Sequence, residues 1–238
     1  MNHTVTRSDH DRRIAEMFDR VAPRYDRLNR ILSAGRDIGW RRRATQLSRL
    51  GAHQLALDLG VGTGDLAFGL LAASDASARV IGVDLSPLML EALRRRAGAS
   101  SERRVIPLLA TAERLPFADG SFDRVVAGFA VRNVGDLPLG LRETRRVLRA
   151  GGRAVILELS TPGNRIIGAL YHSYFHVVAP RIAARLGGDA AAYRYLPRSV
   201  AAFPDADGLA QYMREAGFAR VRYERLSFGI AAIHVGEV

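Results

Sequence analysis

From Ile14 the apolar positions Ile14, Phe18, Val21, Tyr25, Leu28 and Leu32 return every three or four residues, the spacing of a helix with one buried face. Pro23 falls inside that run. It lacks an amide hydrogen and its ring crowds the preceding turn, so the pattern predicts two short helices or a kink. A basic helix is expected from Trp40 to Leu50, and the largely polar residues 1–12 are expected to fray. The texture then changes. LALDLG, RVIGVDLS, RVIPLLAT, FDRVVAGFAV and GGRAVILELS read as buried strands, and DLAFGLLAA, PLMLEALRRR and LGLRETRRVLR as the helices between them. Such alternation predicts an α/β fold with a doubly wound, mostly parallel sheet. Residues 161–205 interrupt it with NRIIGALYHSYFHVVAPRIAARL and a loop rich in Ala, Tyr and Pro. ADGLAQYMREAGF follows as a helix, and VRYERLSFGIAAIHVGE as two strands about a tight turn, an antiparallel edge hairpin.

A chain of 238 residues at 48% hydrophobic content can bury one sizeable core. The reading is therefore a single domain, 1–238, divided into a helical cap (1–50), a core (51–160), an inserted lid (161–205) and a C-terminal helix with hairpin (206–238). With no cysteine, disulfides, thiolate metal sites and cysteine nucleophiles are excluded. No apolar run follows a basic start, and the longest uncharged stretch, between Arg165 and Arg181, is shorter than a spanning helix needs. A cytoplasmic protein is expected. The net charge of +11 rests on arginine alone among the basic side chains, and in residues 1–50 arginines outnumber acids two to one. That surface suits nucleic acid or an anionic membrane face, and a GC-rich genome that writes arginine for any solvated cation would also produce it.

The first strand ends in D-L-G-V-G-T-G-D, with Asp58, Gly60, Gly62, Thr63, Gly64 and Asp65. A dinucleotide loop GxGxxG needs glycine where Asp65 stands. Pyrophosphate wants bare amides and positive potential, whereas this loop carries a carboxylate at each end. A cationic cofactor tolerates them, and S-adenosylmethionine carries a sulfonium and an ammonium. About twenty residues on, Asp84 closes the second strand where a carboxylate can grip two ribose hydroxyls. In ATAERLPF, Thr111 and the amides around Ala112 can meet an adenine edge.

This order resembles the class I S-adenosylmethionine-dependent methyltransferases, which implies a Rossmann-like, seven-stranded sheet whose last strand is antiparallel. A finer resemblance rests on two stretches. Tyr25-Asp26, Asn29, Ser33 and Trp40 are similar to the first signature of the ubiquinone/menaquinone biosynthesis C-methyltransferases. Arg146-Val147-Leu148, Gly151-Gly152 and Leu157-Glu158-Leu159-Ser160 are similar to the second, and Arg132-Asn133-Val134 and GIAAIH also resemble that family. Leu28 stands for its Met and Asp37 for its His; Arg149, Ala150 and Ala154 depart in the second signature, and Gly128 stands where many members have a serine.

The resemblance implies methylation at a ring carbon of a prenylated hydroquinone, demethylmenaquinol first. The acceptor must be reduced, since a quinone is itself an electrophile, and its phenolic proton, with a pKa of about 10, must be made easier to lose. Arg132 is the candidate for stabilising that anion and Asn133 for donating a hydrogen bond, while Asp26, Tyr25 or water takes the proton. Asn29, Arg132 and Tyr171 are expected on the acceptor, and Asp58, Gly60, Gly62, Thr63, Gly64, Asp84, Thr111, Ala112 and Gly128 on the cofactor. Trp40 is read as a core aromatic. The isoprenoid tail implies visits to an anionic membrane surface at the inner face, through the arginine-rich helices or Ile166–Ala179, which reads equally as a packed lid. A second copy of the chain is compatible with the sequence.

Nucleic acid is not expected as a substrate, since GFAVRNVGD replaces the (D/N)PP(Y/F) turn of amino methylases and no cysteine is present for cytosine C5 chemistry. His172 and His176 stand one helical turn apart without a third ligand, so no metal is expected. Arg94–Arg96 read as a solvated helix end and His234 as packing. An oxygen or nitrogen acceptor on another small molecule, a non-catalytic cofactor module and an RNA binder remain the competing readings.

Overall fold

The computed structural model describes residues 8–100, 102–164, 168 and 190–238. Strands β1 (Leu55–Leu59), β2 (Arg79–Asp84), β3 (Val105–Leu109), β4 (Phe122–Gly128), β5 (Leu148–Leu159), β6 (Arg220–Leu226) and β7 (Ala231–Glu237) form one sheet in the order β3-β2-β1-β4-β5-β7-β6. The pairs β3–β2, β2–β1, β1–β4 and β4–β5 are parallel, and β7 runs antiparallel to both β5 and β6. The expected topology is thus present. One detail differs: β7 is interior, so only β6 of the hairpin is an edge.

Period-two alternation sorts the strand residues to two cores. Ala56, Val126, Val155, Leu157, Ile233 and Val235 face one side, where Ala44, Leu47, Leu66, Leu70 and Leu93 cover them. Leu57, Val125, Ala127, Ala154 and Ile156 face the other, under Leu141, Val147, Leu209 and Met213. The first cover is α3 (Arg36–Ser48), α4 (Asp65–Ala72) and α5 (Pro87–Ala99); the second is α6 (Leu137–Val147) and α8 (Ala206–Glu215). Strand order reverses between β1 and β4, and the carboxyl ends there open a crevice, where α/β sheets of this type bind ligands.

Over that crevice lies the cap. Pro23 divides it as expected, into α1 (Asp9–Val21), a 3₁₀ turn Ala22–Arg24 and α2 (Tyr25–Leu32). Val21, Ala22, Phe18 and Tyr25 pack on Met89 at the start of α5. The expectation of fraying fails for residues 8–12. Ser8 accepts the Asp11 amide and Asp11 receives the Ser8 amide, a reciprocal cap that starts the helix at once. The basic helix begins at Arg36, four residues earlier than expected, because Gly35 adopts a left-handed conformation (φ 75°) that turns the chain there.

The expected loop rich in Ala, Tyr and Pro is corrected as well: Ala190–Ala202 form a helix, α7, with Pro197 inside it. Alanine favours helix, and burial of Ser199 and Val200 holds the segment down despite the proline. Tyr171, His172, His176 and Ile166–Ala179, apart from Gly168, lie outside the described residues.

Candidate active site

The glycine loop joins β1 to α4, and Gly60, Gly62 and Gly64 all hold positive φ. At Gly60 space adds to conformation: a Cβ there would stand 2.4 Å from the Ala130 Cβ, so the loop lies bare against the turn after β4. Asp84, closing β2, fixes the bend. Its Oδ2 accepts the Gly62 amide at 2.8 Å and its Oδ1 the Ser86 amide at 2.9 Å. Burial raises its pKa against those amides. Each oxygen retains a lone pair, enough for two neighbouring hydroxyls. Gly60, Gly62, Asp84, Thr111, Ala112 and Asn133 line one cleft with Tyr25 and Phe129, which brings together seven of the expected residues from four loops and the cap.

Asp58 stands behind the loop, 1% exposed, with Oδ2 lacking any partner among the described residues. Burial pushes its carboxyl up to about 8, with Arg41 pulling it down and Asp84 adding to the rise. The other acid of the loop behaves differently from the expectation. Asp65 opens α4 and is met by Arg96 at 2.6 Å, Arg30 at 3.7 Å and Arg41 at 3.8 Å, so its charge is spent away from the cleft. Arg96, expected to be solvated, also covers the Phe68 ring at 4.6 Å. An orphaned carboxyl oxygen behind the bend, a carboxylate poised for hydroxyls and a bare bend fit S-adenosylmethionine.

Three expected cofactor contacts sit elsewhere. Gly64 faces Leu93 and Phe68, whose atoms a Cβ would meet at 2.4 and 2.8 Å. Gly128 faces Arg41 and Leu66, whose atoms a Cβ would meet at 3.2 and 3.4 Å. The Thr63 hydroxyl donates to Asp26 at 2.7 Å, tying α2 to the glycine loop. Burial raises the Asp26 pKa, with Thr63 opposing and Asp65 adding to the rise. Asp26 is not among the residues lining the three cavities at this end of the sheet, and its bond to Thr63 makes it a tether.

A second cavity, about 320 Å³, shares the Tyr25 and Phe129 walls of the cleft. It is mainly apolar, with Leu32, Trp40, Leu159, Leu196, Phe228 and Ile230, and it includes Asn29, Ser33, Asp37 and Arg132. Trp40 is indeed a core residue, and its indole also donates to Ser227 at 3.1 Å and forms part of this wall. Phe129 is held left-handed (φ 61°), a costly conformation for an aromatic residue, which projects its ring between the two spaces.

Arg132 is buried, its side chain 7% exposed, and donates to Glu158 Oε1 at 2.8 Å. Burial pulls its pKa down, and the charge of Glu158 leads the effects that more than offset this. The ion pair is thus a buried one, with Arg132 Nε lacking a partner among the described residues. Asn133 differs from expectation: its amide is engaged by the Phe129 carbonyl and by the Tyr195 hydroxyl at 3.0 Å, and it faces the cleft. His234 packs on Tyr223 and bonds the Ala206 carbonyl at 2.7 Å, away from both cavities.

Sequence reasoning missed Phe129, Arg41 and Tyr195. Phe129 was visible only as the residue after a strand; Tyr195 lay in a segment read as loop. Glu158 was quoted within a signature but given no role.

The family model described as the ubiE/COQ5 methyltransferase family matches residues 6–237. A demethylmenaquinone methyltransferase of Thermus thermophilus is 48% identical, across 93% of this chain and 99% of that one. A ubiquinone/menaquinone biosynthesis C-methyltransferase UbiE of Geotalea uraniireducens is 45% identical, across 94% and 96%. A methyltransferase structure from Thermotoga maritima, described as a possible histamine N-methyltransferase, superposes with a TM-score of 0.66 over 93% of this chain and 98% of that one. At 22% identity it speaks for the fold alone.

Proposed function

The chain belongs to the ubiE/COQ5 methyltransferase family, and on that premise we propose that its acceptor is a ring carbon of demethylmenaquinol. S-adenosylmethionine-dependent C-methylation in quinone biosynthesis is its activity; the proposal concerns the acceptor and the residues that serve it. The observation that carries it is the wall shared by the two cavities. A cleft that offers Asp84 and Thr111 to a ribose and an adenine adjoins a mainly apolar space suited to a fused ring, and Tyr25 and Phe129 border both.

When bound, S-adenosylmethionine supplies a methyl group on a sulfonium, which a carbon nucleophile displaces in line. Alignment is then the main task of the protein. Asp84 would hold the ribose, Thr111 and Ala112 would meet the adenine, and the bare bend of Gly60 and Gly62 would leave room for the amino-acid end. Asn29 and Arg132 border the ring. Arg132, kept protonated in its buried pair with Glu158, lowers the cost of the phenolate that makes the ring carbon nucleophilic. Tyr25 lines all three cavities and is the better placed of the two side chains considered as proton acceptors, ahead of Asp26. The long apolar tail of such an acceptor would bring the enzyme to an anionic membrane surface; no described helix is long and apolar enough to cross a membrane.

The test supplies the purified protein with S-adenosylmethionine and a short-tailed 2-prenyl-1,4-naphthoquinone, either oxidised or reduced under anaerobic conditions. Methylated product is expected only from the reduced form. Product from the oxidised form, or turnover of a benzenoid hydroquinone alone, would refute the acceptor assignment.

A further inference from the structure

The acceptor cavity contains two oppositely charged residues, Arg132 and Asp37. Arg132 is paired with Glu158. Asp37 forms part of the α3 wall, 3% exposed; its Oδ1 accepts the Ser33 hydroxyl at 2.8 Å, and Arg30 Nε approaches Oδ2 only to 3.9 Å. A carboxylate has room for about four hydrogen bonds and donates none. The resembling signature has histidine at this position, a side chain able to donate as well as accept. In this chain the group is acceptor-only.

We propose that Asp37 selects the redox state of the acceptor. The inference rests on the hydroquinone reading of the cavity. A hydroquinone presents O–H groups, and one of them donates to Asp37. The oxidised quinone presents only carbonyl oxygens, so the same buried carboxylate is left facing a lone pair. The discrimination is imposed at binding, before any chemistry. It keeps the electrophilic quinone, which cannot be methylated, from occupying the cavity.

The experiment measures binding by anaerobic calorimetry, with S-adenosylhomocysteine in place of the methyl donor. The ligands are the short-tailed naphthohydroquinone and its quinone. Wild-type protein is expected to prefer the reduced ligand by roughly tenfold or more. In Asp37→Asn the amide can donate to a carbonyl, so the preference should shrink by about that factor through opposite changes in the two affinities. Affinity for S-adenosylhomocysteine should hold within about twofold. A structural role for Asp37 would instead lower both quinone affinities together, and a ratio unchanged by the substitution would overturn the proposal. Equal wild-type affinity for the two forms would overturn it while sparing the acceptor assignment. If neither form binds while S-adenosylhomocysteine does, both readings fall. Asp37→His, also able to donate, provides the second variant should Asp37→Asn fold poorly, and the wild-type ratio decides by itself if neither variant folds.

Discussion

Asp58 shows what one side chain contributes when the chain is folded around it. Its position at the end of the first strand was plain from LALDLG, and so was its acidity. Its protonation was not, because that depends on being 1% exposed and near Asp84, a residue from another strand. The folded carboxyl titrates at about 8, well above the 3.8 of an unburied one. Below the lower value both states hold the proton and the folded state loses nothing. As pH rises, the unfolded chain ionises first, so this group's contribution declines until the upper value is passed. The melting temperature of cofactor-free wild type should therefore fall more between pH 5 and 8 than that of Asp58→Asn. Parallel curves by scanning calorimetry would place the proton on another group. Asp65 teaches the converse. Its partners Arg30, Arg41 and Arg96 come from three helices, which no local pattern could reveal, and they remove the negative charge that the sequence appeared to place at the loop.

Among the elements, the 3₁₀ turn Val131–Asn133 and the end of β5 act as a unit through Arg132 and Glu158. Glu158 accepts from the Arg132 guanidinium and also from the amides of Arg132 and Leu159. Arg132→Ala alone should destabilise the fold by about 3–5 kcal/mol, because it leaves a buried carboxylate uncompensated. The informative variant is Arg132→Met with Glu158→Gln. It should fold, retain S-adenosylmethionine affinity within a fewfold, and lose roughly a hundredfold in kcat. An unchanged kcat in that double variant would reduce Arg132 to a structural role. Element types were mostly readable because 3.6- and 2-residue periods differ sharply. Where the reading failed, at α7 and at the start of α1, the deciding features were burial of Ser199 and Val200 and the reciprocal bonds of Ser8 and Asp11.

At the scale of the molecule, the mouth of the acceptor cavity bears on how a membrane-borne acceptor would be met. Phe228, 76% exposed, is held left-handed (φ 61°) in the turn between β6 and β7, and it belongs to the cavity lining. Ile31 and Ile38, from α2 and α3, are exposed too, on helices rich in arginine. Anionic liposomes should float the protein at low salt and release it at high salt, and Phe228→Ser should weaken that association. Flotation indifferent to lipid charge would dismiss the arginines as the attracting group. The sheet, its order of strands and helices, and the type of cofactor were determined by the sequence itself, since each follows from local periodicity or from residues adjacent in the chain. Which carboxylates keep their charge, which side chain buttresses Arg132, and that Asp37 shares a cavity with it were decided by the tertiary structure alone. Burial and the pairing of distant charges are properties of the packed molecule, and the chain order carries no record of either.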